Sequence, residues 1–173
     1  DRVLFAGRAR AHGWELWTTD GTTAGTRRVA DVRPGPIGSG PSNLVATGGV
    51  AFFTADDGLH GTELWTTDGT PEGTRIVADL RPGAGGSAPE RLAWSAHAGL
   101  LFFRADDGIH GVEPWASDGT AAGTHLVSDV APGPDGSFPE DLVDVGGRVF
   151  FHAYDPIHGS ELRSTRSEEH TSE

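Results

Sequence analysis

Apolar residues in this chain come in short runs, and each run is closed by glycine, aspartate or proline. Residues 43–80 show the pattern most fully, as "NLVATGG", "VAFFTAD", "TELWTTD" and "TRIVADL". Runs of four to seven residues rich in β-branched and aromatic side chains, bounded by turn formers, predict β-strands. No segment keeps the three-to-four spacing of an amphipathic helix long enough to compete.

The pattern repeats. Trp17, Trp65 and Trp115 lie 48 and 50 residues apart, and the fourth equivalent position, 48 further on, is Arg163. Four strands in a unit of about this length is the layout of a β-propeller blade. The predicted fold is therefore all-β, an incomplete propeller-type array of about three and a half four-stranded blades. Its units cover roughly residues 1–43, 44–91, 92–141 and, in part, 142–165.

Turn chemistry explains the conserved spacing inside each unit. In "DGTxxGT", Asp20, Asp68 and Asp118 are placed to accept bonds from backbone amides just ahead of them. Gly21, Gly69 and Gly119, and then Gly25, Gly73 and Gly123, offer positive φ at little steric cost. Gly58 and Gly108 suit a tight hairpin. Pro34, Pro82 and Pro132 are expected to end the fourth strand, because proline cannot extend a ladder.

These residues carry a resemblance. Residues 1 to about 165 resemble the ELWxxDGT tandem repeat of long, often secreted or surface-attached bacterial proteins. Glu15, Leu16, Trp17, Asp20, Gly21, Thr22, Gly25 and Thr26 fall in register with it, as do Glu63, Leu64, Trp65, Asp68, Gly69, Thr70, Gly73 and Thr74. The third copy departs at Pro114, which points to a strand position whose N–H the ladder does not need. The resemblance implies propeller-like β-structure and an extracellular or cell-surface location.

Composition alters this picture little. With 26 glycines, 11 prolines and no cysteine, the chain is turn-rich and offers neither disulfides nor thiolate metal sites. A net charge of −12 disfavours nucleic acid and anionic membranes. No apolar run approaches the roughly 20 residues of a membrane helix. The chain opens at Asp1 inside a repeat, which reads as a fragment whose start and any signal peptide lie upstream.

Candidate chemistry has to be weighed against recurrence. His12, His60, His110 and His158 each precede a glutamate (Glu15, Glu63, Glu113, Glu161) by three residues. A pair present in every unit predicts an architectural contact, a His–Glu or His–backbone hydrogen bond closing the hairpin, and not a unique catalytic site. Strand alternation puts Glu63 and Trp65 on one face and Leu64 on the other, so the tryptophans read as interblade core, with carbohydrate stacking the minority reading. Asp56, Asp57, Asp106 and Asp107 form a weak calcium alternative, short of the spaced ligands such loops need and replaced by Arg8 and Ala9 in the first unit. No other metal, cofactor or catalytic motif stands out.

The function expected is a non-catalytic scaffold or binding module of a larger exported bacterial protein. Its partners would be neighbouring blades and a protein or glycan ligand. One alternative is part of a propeller enzyme, a lyase or hydrolase, where the unit-specific Arg104, His152 and Tyr154 would matter. A purely structural surface or adhesion repeat is the other. The last eight residues, "RSEEHTSE" (166–173), lose all repeat character; they are the direct translation of AGATCGGAAGAGCACACGTCTGAA, which resembles a short-read sequencing adapter, and are expected to be non-native.

Overall fold

The computed structural model describes residues 2–166. Asp1 and residues 167–173 lie outside the described residues, and with them all of the expected non-native tail except Arg166. Among the described residues there is no helix, and fourteen strands are arranged in four antiparallel sheets. It divides into two compact units, Asp1–Ala88 and Pro89–Glu173.

In the first unit, β1 (Val3–Ala9), β2 (Gly13–Thr19) and β3 (Arg27–Arg28) form one sheet. β4 (Ser42–Ala46), β5 (Ala51–Asp56), β6 (Thr62–Thr67) and β7 (Arg75–Ala78) form the next. Each is a meander of sequential neighbours. The two sheets share a core of Leu16, Val29, Phe53, Ala55 and Trp65, with Leu4, Val32, Leu44 and Ile76 around it. Trp65 pairs across the ladder with Phe53, their ring centroids 6.4 Å apart. The residue diagonal to Trp17 is glycine for a steric reason: a Cβ on Gly7 would come within 2.6 Å of the Trp17 ring.

The second unit repeats this plan. β8 (Glu90–Ser95), β9 (Leu100–Asp106), β10 (Val112–Ser117) and β11 (His125–Leu126) form a four-stranded sheet, and β12 (Glu140–Val145), β13 (Arg148–Asp155) and β14 (Gly159–Arg166) a three-stranded one. Phe102 and Ala116 of the first pack on Leu142, Val149, Phe151 and Ala153 of the second. Burying this apolar surface, at about 25 cal/mol per Å², is the main favourable term in both units.

Two local expectations need correction. The fourth strand ends at Arg28, Ala78 or Leu126, four to six residues before Pro34, Pro82 and Pro132, which instead open the following turn. Gly25, Gly73 and Gly123 do not take positive φ. They are glycine because a Cβ would sit about 2 Å from the carboxylates of Asp20, Asp68 and Asp118. Gly21, Gly69, Gly119, Gly58 and Gly108 do have positive φ, between 82° and 91°. At Pro114 the carbonyl accepts from Val127 N (2.8 Å), so the missing N–H would have faced the two-residue β11. The short outer strand is not the proline's doing, since β3 is equally short opposite Leu16.

Candidate functional site

The recurring residues build three self-contained stations. In the "DGT" turn, Asp20 Oδ1 accepts from Thr22 N (2.9 Å) and Thr22 Oγ1 (2.7 Å), Gly25 N donates to Thr22 Oγ1, and the Thr19 and Thr26 hydroxyls share a 2.7 Å bond. Asp68 and Asp118 repeat the arrangement. The threonine hydroxyl, and then its amide, hold all three aspartates below the usual carboxylate range.

At the hairpin tip the histidine bonds to an aspartate and not to the glutamate three residues on. Asp57 Oδ1 takes the amides of Leu59 and His60 at 2.8 and 2.9 Å, and Oδ2 meets His60 Nδ1 at 2.7 Å. Asp107 and His110 match this, and Asp155 with His158 does so at 3.2 Å. The first unit has Ala9 in the aspartate's place, so His12 turns to Asp31, 3.1 Å away. Burial pulls Asp57 and Asp107 upward, but the amides and imidazole outweigh it and both are lowered. The hydrogen bond each ring donates to that carboxylate raises His60 and His110 above 6.5. A raised histidine adds stability that is complete below the unfolded value near 6.5 and is lost as pH rises through the folded one. Both rings are more than a third exposed, so the expected signature is spectroscopic: NMR titration should place His60 above 6.5 in the wild type and return it to the ordinary value in Asp57→Asn.

The third station is the buried glutamate. Glu15, Glu63 and Glu113 are fully inaccessible to solvent. Glu15 accepts from the amides of Val32, Arg33 and Ser39 and from Ser39 Oγ (2.6 Å). Glu63 takes Arg81 N, Ser87 N (2.8 Å) and Ser87 Oγ; Glu113 takes Val130 N, Ala131 N and Ser137 Oγ (2.5 Å). Desolvation raises Glu63 and Glu113 above the usual range against the pull of these donors. Sequence reasoning missed Ser39, Ser87 and Ser137, although each stands 24 residues after its glutamate. The same connector approaches so closely that a Cβ on Gly61 would fall 2.5 Å from Gly86 N.

Metal-ligating residues are already engaged. Gly58 N donates to Asp56, whose other oxygen meets the Arg33 guanidinium, while Asp57 and Asp107 serve their own loops and Asp106 takes Gly108 N. Asp155, His158 and Glu161 lie close enough to share an ion, but Arg163 and two loop amides already hold Asp155. The amide of His158 is the first cause of that carboxyl's fall to about 2.

Unit-specific residues gather in one place. The edge strands β4, β8 and β12 each carry a bulge with a left-handed residue, Asn43, Arg91 or Asp141, at φ 52–56°. Around the second and third bulges Arg104 binds Glu90 (2.5 Å) and Glu140 (3.4 Å), Arg91 reaches Glu140 (3.5 Å), and His152 lies 3.6 Å from Asp141. Beside them a pocket of about 180 Å³ is lined by Phe138, Glu140, His152, Tyr154 and Ser160. His152 and Tyr154 thus share a pocket, and Arg104, outside its lining, connects to it through Glu140 and the Pro139 carbonyl. Phe138, which sequence reasoning also missed, is held at φ 49° and is half-exposed.

A second cleft, about 500 Å³, is lined by Val127, Val130, Phe151 and Arg163 with Ser128, Ser164 and Thr165. Phe151 faces Arg163 across the ladder as Phe53 faces Trp65. Val127 and Val130 stand where Val29 and Val32 enclose Trp65 in the first unit. The cleft is the space a tryptophan fills elsewhere.

No protein-family model matches the chain, and no curated protein does. Solved structures do match. A structure described as that of puromycin hydrolase has a TM-score of 0.61 and 15% identity, over 96% of this chain and 26% of that one. A mutant of that hydrolase complexed with PGG follows at 0.60 and 16%, over 95% and 25%, and a study of two prolyl endopeptidases at 0.58 and 14%, over 95% and 24%. This chain spans about a quarter of the length of those proteins. Identity this low carries the fold alone: an all-β, repeat-built chain whose structural neighbours are propeller-like domains of prolyl peptidases.

Proposed function

We propose that the chain is a non-catalytic binding module of a larger exported bacterial protein, about three and a half blades of a propeller built from ELWxxDGT repeats. The observation that carries this reading is a division of labour. Recurring aspartates, histidines and glutamates are consumed in holding turns and connectors, whereas Phe138, His152 and Tyr154 converge on one pocket. Their sibling positions hold Gly40 and Ala88, Thr54 and Arg104, and Asp56 and Asp106. Extracellular placement rests on the repeat resemblance.

A second reading is a propeller region of a hydrolase. Its support is the likeness to puromycin hydrolase and prolyl endopeptidases. One experiment separates the two. The labelled chain is applied to printed glycan and peptide arrays beside a variant with all three positions reset (Phe138→Gly, His152→Thr, Tyr154→Asp), and both are assayed for cleavage of proline-containing peptides. Binding lost in the variant, without turnover, is the expected result. Turnover by the wild type that the variant lacks would overturn it.

A further inference from the structure

We infer that the pocket between Phe138 and Tyr154 is a subsite for a neutral sugar ring. The inference rests on the binding-module reading above and adds the chemistry of the ligand.

Three observations lead there. First, Phe138 shares the left-handed backbone of its siblings Gly40 (φ 60°) and Ala88 (φ 48°), so the conformation belongs to the repeat, but only here does it carry a bulky aromatic side chain, which that conformation disfavours. Its backbone is fixed there by Phe138 N donating to Val112 O (3.0 Å), next to Tyr154 N on Ser137 O (2.8 Å). The ring is therefore presented by ladder-like hydrogen bonds and not by a loose loop.

Second, the walls are amphipathic in the way a sugar is. Phe138 and Tyr154, 54% and 48% exposed, offer aromatic surface to an apolar C–H face. The Tyr154 and Ser160 hydroxyls and the His152 imidazole donate and accept around that surface, as a ring of hydroxyl groups requires. The volume takes one ring and not an oligosaccharide, so the site fits a terminal or flipped-out residue of a longer glycan.

Third, the electrostatics favour a neutral ligand over a charged one. Glu140, the pocket's carboxylate, is held by both Arg91 and Arg104, and Arg104 is also tied to Glu90. A bound ammonium would compete with two guanidinium groups for Glu140, and a bound anion would face that carboxylate. Neither finds a free counter-ion among the described lining residues.

The test uses saturation-transfer NMR of the full chain with methyl glycosides of glucose, galactose, mannose and N-acetylglucosamine, with choline and glucuronate as charged comparators. At least one neutral glycoside should give transfer, and Phe138→Gly should weaken it at least about tenfold. Glycine suits the left-handed backbone, so that variant keeps its fold. Tyr154→Asp, which installs the sibling residue, should do the same. Transfer to choline or glucuronate alone, equal binding by both variants, or no transfer to any neutral glycoside overturns the sugar assignment. If peptides on the array still bind through the same three positions, the module reading survives that failure; if nothing binds, both fall.

Discussion

Arg163→Trp should stabilise the chain by about 2 kcal/mol, raising Tm by roughly 4–8 °C for a protein of this size. The wild-type arginine stands in a cleft with the tryptophan's neighbours on every described side, Val127, Val130 and Phe151. Its Nε is buried without a hydrogen-bond partner among the described residues. Removing a buried tryptophan typically costs about 3–5 kcal/mol, and an arginine stem already recovers part of that packing, which leaves about 2. Losing the Arg163 pair with Asp155 takes little away, because the equivalent Asp57 and Asp107 stand without such a partner, held by the same two loop amides. Chemical denaturation of the two chains side by side checks this. A variant no more stable than wild type would mean that the cleft is not shaped for an indole, and that the break in the repeat at Arg163 has a role of its own.

What was legible in the sequence follows from how local its cause is. Strands and turns could be read because each unit writes them in adjacent residues: an aspartate reaches a threonine two positions on, and Gly58 lies inside its own hairpin. The glutamate could not be read the same way. Strand alternation points Glu63 inward while His60 stays at the tip, so residues three apart never meet, and the ring takes Asp57 instead. Its real partner, Ser87, sits 24 residues on in a glycine-rich connector, where serine passes for loop filler. The premature end of the fourth strand has the same origin. Once Val32 and Arg33 donate to Glu15, their amides are no longer available to the β2 ladder. The Phe138 pocket was hidden because its two rings come from a connector and a strand sixteen residues apart, with nothing in either segment to announce the other.

The three orphaned indole nitrogens of Trp17, Trp65 and Trp115 show what the repeat gives up to keep this geometry. An unpaired buried N–H costs about 1–3 kcal/mol, yet the ring contributes more through area, so tryptophan persists at the position without a partner for its nitrogen. The glutamate two residues earlier follows the opposite rule. Its burial is tolerable only because every donor around it is supplied by the connector.

Glu63→Ala should therefore be the most damaging single change in the first unit, costing about 3–5 kcal/mol. It leaves the Ser87 hydroxyl and the amides of Arg81 and Ser87 facing a void, and frees the connector that Gly61 and Gly86 hold against β6. Glu63→Gln separates hydrogen bonding from charge. The amide oxygen can keep both backbone donors and its nitrogen can donate to Ser87 Oγ, so the cost should stay within about 1 kcal/mol. The comparison also carries a pH dependence with a definite sign. Desolvation raises Glu63 above 4.5, so its contribution is complete below that unfolded value and shrinks as pH rises through the folded one. Glu63→Gln has no such loss. Its stability relative to wild type should improve from acid to neutral pH in denaturation series run at both. A glutamine variant that falls with alanine at neutral pH would mean that the connector is held by the negative charge itself, and not by a set of matched acceptors.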